Sequence, residues 1–397
     1  MRILVGWDDA EQAELLRLYL NVDDSGVLVT TNHEHTLKAV ESNQIWDAIL
    51  ITTTFPDVDT AYNVFEKIRE ICPETPLIGA CQQEDVYKIA RYLTNGLRAY
   101  VIRDKAGDYM FLLTAIIEGA VKQAEAERER QIAEKLRREV DSVRQLQESI
   151  IPHDISTPED YGIVARYESS QIQVIGGQPV TMAGGDYYDA FTLPDDSMIL
   201  LVGDASGHGM KACMSIMTMH TLIRMIRYDE FREPAHFVRY VNNQLSRQAV
   251  VNNEGGFITL LYGVLNPKTH ELKWASAGHQ SPVLHNLETD EVAEVTTDLD
   301  AAGLPIGILD DADYQTQSTI IPPNSRLLLY TDGLVEAFPA DSEGHDEFGL
   351  KGVSATMKQH RKSPLKDCMQ ALFDDSLEFT KGQGRHDDTS VVIVERS

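Results

Sequence analysis

From residue 107 to residue 150 the chain contains no proline, and after Gly119 no glycine. The segment AEAERERQIAEKLRREVDSVRQLQESI is rich in Ala, Glu, Arg and Leu, all good helix formers, so it reads as one long helix, which Pro152 ends. Ile132, Leu136, Val143, Leu146 and Ile150 fall on a 4-7-3-4 spacing close to a heptad seam, with Glu129 and Glu139 at two seam positions. Two readings follow. The helix pairs with a second copy as a dimeric coiled coil, or it packs back on its own domains. In either case it divides a chain of 397 residues, too long for one ordinary core, into two domains and a connector.

The two sides of the helix differ in pattern. In residues 1–118 the short apolar runs ILVGW (3–7), GVLVT (26–30), DAILIT (47–52), PLIGA (76–80) and AYVIR (99–103) alternate with helically spaced stretches such as EQAELLRLYLN. That alternation predicts a parallel α/β sheet with helices on both faces. Residues 153–397 are dominated by strand candidates: SMILLVGD (197–204), GFITLLYGVL (256–265), ELKWASA (271–277), SRLLLYTD (325–332) and TSVVIVE (389–395). Helical stretches at 209–227, 234–249 and 364–379 flank them, which predicts an antiparallel β core of α+β type. The expected boundaries are 1–118, 119–152 and 153–397.

A hydrophobic content of 43% and a charged content of 24% suit a globular protein. The opening MRILVGWDD does not read as a signal peptide, and no apolar run is long enough to span a bilayer. Cys72, Cys81, Cys213 and Cys368 form no CxxC pair and are expected as reduced, buried thiols, so the expected location is cytoplasmic. A formal charge of −27 repels phosphate backbones and anionic lipid, which excludes nucleic acid and membrane surfaces as partners.

Four acidic positions share a placement. Asp186 follows Ala183-Gly184-Gly185, Asp204 follows MILLVG, Asp332 follows RLLLYT, and Asp387-Asp388 precede TSVVIVE. Carboxylates brought together at one end of a sandwich repel one another and lose hydration. Hard divalent ions such as Mg²⁺ or Mn²⁺ compensate, and a pair of them activates water for phosphate displacement. Glycine beside the ligands permits close approach. Aspartate before glycine is also common in ordinary turns, so spacing alone leaves both readings open.

The motifs GGDYYDAF (184–191), VGDASGHGMKAC (202–213), WASAGHQSPVL (274–284), GLPIGI (303–308), LLLYTDGLVEA (327–337) and HDDTSVVIVE (386–395) stand in order, with LQESIIP (146–152) just upstream. Together they closely resemble the bacterial SpoIIE/RsbU class of the PPM, or protein phosphatase 2C, family. The resemblance covers nearly all of residues 146–397. It implies a two-sheet β-sandwich flanked by helices and metal-dependent hydrolysis of phosphoserine and phosphothreonine in proteins, with two Mn²⁺ or Mg²⁺ ions. Asp204 would bridge both ions and the Ala205 carbonyl would join the second site. Asp332 and Asp387 would complete the first site, and Asp186 would serve the second, so that Asp204 and Asp186 carry the chemistry. Asp387 is preferred over its neighbour Asp388. Asp189 would support Asp186 or hold its loop, with Gly185 beside it.

His208 lies four residues after Asp204, unlike the histidine in the DGH motif of eukaryotic members. Two roles stay open for it, proton donor to the leaving alkoxide or contact with an anion at a helix start. His279 is expected to order its own turn. The implied substrate is a phosphorylated STAS-domain anti-anti-sigma factor or similar protein. The alternative is a catalytically silent pseudophosphatase that acts as a protein-binding module.

Residues 1–118 resemble the response-regulator receiver domain, a flavodoxin-like doubly wound fold. Aligned on Phe55-Pro56, the phosphoacceptor position holds Thr52, Trp7 replaces an acidic residue and leaves Asp8 and Asp9, the hydroxyl position holds Cys81, and the lysine position holds Arg103 with Lys105 nearby. Threonine forms no acyl phosphate, so this half is expected to be phosphorylation-incompetent, with Arg103 neutralising Asp8 or Asp9 in place of a metal. It would regulate the phosphatase or mediate dimerisation.

Overall fold

The computed structural model describes the chain apart from residues 22–25, 43, 105–106, 153, 173–179, 182, 227–231, 253–254, 297, 340–345 and 383, so Lys105 lies outside the described residues. The chain divides into two compact units, Met1–Leu136 and Arg137–Ser397.

In the first unit strands and helices alternate: β1 (Arg2–Gly6), α1 (Ala10–Leu20), β2 (Gly26–Thr30), α2 (His33–Glu41), β3 (Ala48–Thr52), α3 (Val58–Ile71), β4 (Leu77–Gln82), α4 (Ile89–Thr94), β5 (Ala99–Arg103) and the beginning of α5 (Met110–Ile150). Every strand pairing is parallel, in the order β2-β1-β3-β4-β5. The order reverses between β1 and β3, as in doubly wound, flavodoxin-like sheets. Strand β3 is AILIT and buried at every position because helices cover both faces. Leu50 joins Leu16, Leu113 and Ile117 on one side, whereas Ile49 and Ile51 join Phe65 and Tyr92 on the other. The carboxylates of Asp9 and Asp57 accept backbone N–H groups at the starts of α1 and α3, satisfying donors that have no partner within the helix.

Helix α5 runs for 41 residues. It starts at Met110, earlier than the expected connector, because Met110, Leu113, Ile117 and Ala120 close the first unit's core. Its final turns belong to the second unit. Among the described residues no helix is long and apolar enough to cross a membrane. The four cysteines are free, and Cys72 is half-buried where the other three are buried.

The second unit continues with β6 (Tyr161–Glu168), β7 (Gln171–Ile172), β8 (Val180–Thr181), β9 (Asp186–Thr192), β10 (Met198–Ala205), α6 (Met210–Met225), α7 (Pro234–Leu245), α8 (Ala249–Asn252) and β11 (Ile258–Asn266). It ends with β12 (Glu271–Ala277), β13 (Val283–Asn286), β14 (Glu291–Glu294), β15 (Gln317–Ile320), β16 (Ser325–Tyr330), α9 (Gly349–Gln359), α10 (Leu365–Phe379) and β17 (Thr389–Arg396). Two five-stranded sheets form, β15-β12-β11-β10-β9 and β14-β13-β16-β17-β6, both antiparallel.

Alternation along β16 shows how the layers stack. Leu327 and Leu329 enter the same core as Leu200, Leu261 and Trp274 of the other sheet. Leu328 and Tyr330 point the other way, against Met357 of α9 and Phe373 of α10. On the far side of the first sheet, Phe237 of α7 stacks on Tyr262 at 3.9 Å between ring centroids. The result is a two-sheet sandwich with helices outside each sheet, and both inner and outer faces are apolar.

Candidate metal centre

Asp204 is the penultimate residue of β10, and the antiparallel register sets it opposite Asp186 on β9 and Thr259 on β11. The Ala205 N–H donates to the Gly185 carbonyl at 2.8 Å, which draws the two strand ends together. A Cβ at Gly185 would lie 2.6 Å from the Ala205 carbonyl oxygen, and one at Gly184 would lie 1.9 Å from Asp388 Oδ2. Only glycine fits this approach. From the second sheet, Asp332 follows β16 and Asp387-Asp388 precede β17.

The hydrogen bonds separate the carboxylates by task. Asp186 Oδ2 accepts from the Thr331 hydroxyl at 2.6 Å, and that hydroxyl oxygen accepts from the Ser390 N–H. Asp388 is buried, with one oxygen taking the Ser170 N–H and the other the Gly185 N–H, both at 2.7 Å. Its carboxylate is therefore engaged in tethering two loops. Asp387 accepts only the Asp388 N–H at 2.8 Å among its described bonds. Asp332 Oδ1 is buried with no hydrogen-bond partner.

Electrostatics mark one shared neighbourhood. Burial drives Asp186 well above the usual carboxylate range, reinforced by the charges of Asp204 and Asp388 and opposed by Thr331. Asp204 is pushed up to about 9, first by burial and then by Asp332, Asp387 and Asp388. Burial also raises Asp332, with Asp387 adding to it, and raises Asp387 and Asp388. Carboxylates this desolvated and this crowded take up protons unless cations sit among them. Among the described residues, no three His, Cys, Asp or Glu side chains already close around one point as a finished shell. The donor set still fits a hard divalent ion: the groups are all oxygen, one is a buried orphan, and the backbone carbonyl of Ala205 lies beside them.

His208 is exposed in the loop ahead of α6, near enough that its positive charge would lower both Asp387 and Asp388. Asp189 needs a correction. It lies three residues along β9 from Asp186, and its carboxylate accepts from the Tyr187 hydroxyl and from Arg224 of α6, both at 2.8 Å. It holds α6 to the sheet and does not support Asp186.

Two further side chains at the rim escaped the sequence reading. Gln147, near the end of α5, is fully buried; its carbonyl accepts the Gly184 N–H at 2.7 Å and its amide donates to the Asp186 carbonyl at 3.3 Å. The LQESIIP motif contained it, but it is off the heptad seam and showed no periodic signal. Thr331 was visible only as the residue before Asp332.

In the first unit, Arg103 Nη1 reaches both oxygens of Asp8 at 2.7 Å, and Nη2 donates to Gln12 at 3.0 Å. The guanidinium lies 4.6 Å from the Trp7 ring centroid, and the Tyr109 hydroxyl donates to the same Gln12 oxygen. Asp9 is occupied as the cap of α1. Thr52 and Cys81 are buried at the ends of β3 and β4. These groups do not fit a divalent ion, because Arg103 already fills the coordination face of Asp8.

The chain is 25% identical over 318 residues to the phosphoserine phosphatase RsbU of Bacillus subtilis, covering 79% of this chain and 86% of that protein. It is 23% identical over 284 residues to protein IcfG of Synechocystis, covering 66% of this chain but 42% of IcfG. Among solved structures it resembles the SiaA-PP2C domain of Pseudomonas aeruginosa, with a TM-score of 0.52 at 19% identity over 67% of this chain and 98% of that domain. The Stage II sporulation protein E (SpoIIE) family matches residues 194–397, more than half of the chain. The chain belongs to that family, and its C-terminal unit is a phosphatase domain of the protein serine/threonine class.

Proposed function

We propose that the protein hydrolyses phosphoserine or phosphothreonine in a regulatory protein, a phosphorylated STAS-domain anti-anti-sigma factor in the leading reading. Two Mn²⁺ or Mg²⁺ ions would be held by Asp204, Asp186, Asp332, Asp387 and the Ala205 carbonyl. The observation that carries this is the convergence of those carboxylates, from both sheets, on one rim where each is raised by burial and by its neighbours. The name of RsbU, a phosphoserine phosphatase, supports the same substrate class.

When bound, the ions supply an activated water and neutralise charge on the phosphate. The chain supplies the geometry. Thr331 and Gln147 fix Asp186 through its side chain and its backbone. Asp388 pins the glycine loop, and the Asp204–Asp186 register keeps the two strand ends adjacent. His208, exposed near Asp387 and Asp388, would contact the leaving oxygen or the phosphate itself.

The first unit serves as a module that takes no phosphate, and α5 serves as its connection to the phosphatase and as a homodimer contact. Ile132, Leu136 and Leu146 of the seam are exposed, which supports pairing with a second copy. No nucleic acid or membrane is a partner, and the protein is placed in the cytoplasm.

The test is Mn²⁺-dependent hydrolysis of p-nitrophenyl phosphate and of a phosphorylated STAS-domain protein. Both activities should vanish in Asp204→Asn. Tight binding of the phosphoprotein with no turnover at any Mn²⁺ concentration would favour the pseudophosphatase.

A further inference from the structure

The turn after β12 is ordered by a serine. Ser276 Oγ accepts the His279 N–H and donates to the His279 carbonyl, both at 2.9 Å. The imidazole is not needed for that turn and extends away from it. Its Nε2 lies 3.0 Å from the Tyr330 carbonyl, and its Nδ1 lies 2.9 Å from Thr259 Oγ1. A carbonyl only accepts, so Nε2 carries the proton, Nδ1 accepts, and the Thr259 hydroxyl donates. Burial lowers this histidine to about 4, so the one-proton form persists at neutral pH.

The two partners belong to different sheets. Thr259, on β11, is the register partner of Asp204. Tyr330 ends β16 and is followed directly by Thr331, which holds Asp186, and by Asp332. A single ring thus spans the sandwich at the level of the carboxylates, from the sheet carrying Asp186 and Asp204 to the sheet carrying Asp332. Tyr330 pairs in turn with Val391 of β17, the strand that Asp387 precedes.

We propose that His279 is a positioning residue that fixes the separation of the two sheets at the rim, and so the width of the divalent-ion site. This rests on the metal-dependent reading above. Removing either hydrogen bond would let the sheets relax and place the two halves of the ligand set at the wrong spacing. The effect should fall on ion binding first, and on turnover only through it.

The full chain is compared with His279→Leu, Thr259→Val and His279→Gln. Mn²⁺ affinity is measured by calorimetry without substrate, Mn²⁺ activation with p-nitrophenyl phosphate, and folding by thermal unfolding. His279→Leu and Thr259→Val should bind Mn²⁺ about 10–100-fold more weakly, the usual effect of losing a group that orients metal ligands. Their kcat at saturating Mn²⁺ should stay within about threefold of the parent, since ligands and substrate contacts are intact. The glutamine amide carries an acceptor and a donor for the same two partners, so His279→Gln should recover most of the affinity. A folded Thr259→Val protein with parental Mn²⁺ affinity overturns the proposal, as does a glutamine variant no better than the leucine one. If His279→Leu does not fold, the near-isosteric Thr259→Val decides. Absence of Mn²⁺ binding in the parent protein overturns the metal-dependent reading and this inference with it. Parental binding with indifferent variants overturns this inference alone.

Discussion

Arg103 meets Asp8 face to face, with one guanidinium nitrogen 2.7 Å from each carboxylate oxygen. Both side chains are largely buried, the guanidinium rests over Trp7, and Gln12 takes a third bond. Arg103 of β5, Asp8 just past β1 and Gln12 of α1 are thereby tied together where a divalent ion would otherwise neutralise the carboxylate. Arg103→Ala should destabilise the first unit by about 1–3 kcal/mol, because Asp8 is left half-buried and without its hydrogen-bond partner. Urea unfolding of the full chain, followed by Trp7 and Trp46 emission, measures this. Acetyl phosphate added in the presence of Mg²⁺ should leave the parent's melting profile as it is with Mg²⁺ alone, and a phosphorylation-linked shift would contradict the assignment.

Thr331 is the smallest change that disturbs the metal rim without removing a carboxylate. Its hydroxyl donates to Asp186 and accepts from Ser390. Thr331→Val deletes both bonds at nearly constant volume. Half-saturating Mn²⁺ should rise roughly 10–100-fold, whereas Asp204→Asn should lower kcat/KM by about 10³-fold or more at any Mn²⁺ concentration. Equal Mn²⁺ requirements in Thr331→Val and the parent would show that Asp186 needs no support from the second sheet.

Asp189 gives the opposite expectation. It is buried, with Tyr187 and Arg224 as partners on the α6 side of β9. Asp189→Asn should leave Mn²⁺ dependence unchanged and reduce stability by about 1–3 kcal/mol, through loss of the charge-assisted bond to Arg224. A raised Mn²⁺ requirement at unchanged stability would return Asp189 to the metal site.

That residue shows where the sequence was readable and where it was not. In a strand, positions three apart point to opposite faces, so Asp186 and Asp189 cannot both face the rim once 186–192 is known to be a strand. DYYDAFT was not recognised as one, since two aspartates among tyrosines do not resemble an apolar run. Strand β6, YGIVARYE, was hidden for a similar reason: an edge strand half-covered along its length shows no strong alternation. Strands covered on both faces, such as AILIT and SRLLLY, were legible to within a residue or two because continuous apolar runs leave few alternatives. The carboxylates at strand ends were legible as candidates. Their supports were not: Gln147, Thr331 and Thr259 act through bonds to residues distant in sequence, and no local period encodes such a bond.

His279 also sets a pH dependence. Burial holds its imidazole near 4, below the usual 6.5, while the unfolded chain takes up the proton at the ordinary value. Between those values the unfolded state binds more protons, so stability rises with pH across the interval. The contribution is fully present above about 6.5 and is lost as pH falls toward 4, and its size is on the order of 3 kcal/mol. Full protonation would also turn the Thr259 hydroxyl from donor to acceptor towards Nδ1. His279→Gln has no proton to take up, and its unfolding midpoint in denaturant should fall less steeply than the parent's between pH 6.5 and pH 4. Because both proteins share the other titrating groups, the difference between their two pH profiles isolates this one. Parallel profiles would mean that the ring takes up its proton at the same pH in the folded as in the unfolded chain, so that its burial imposes no pH dependence.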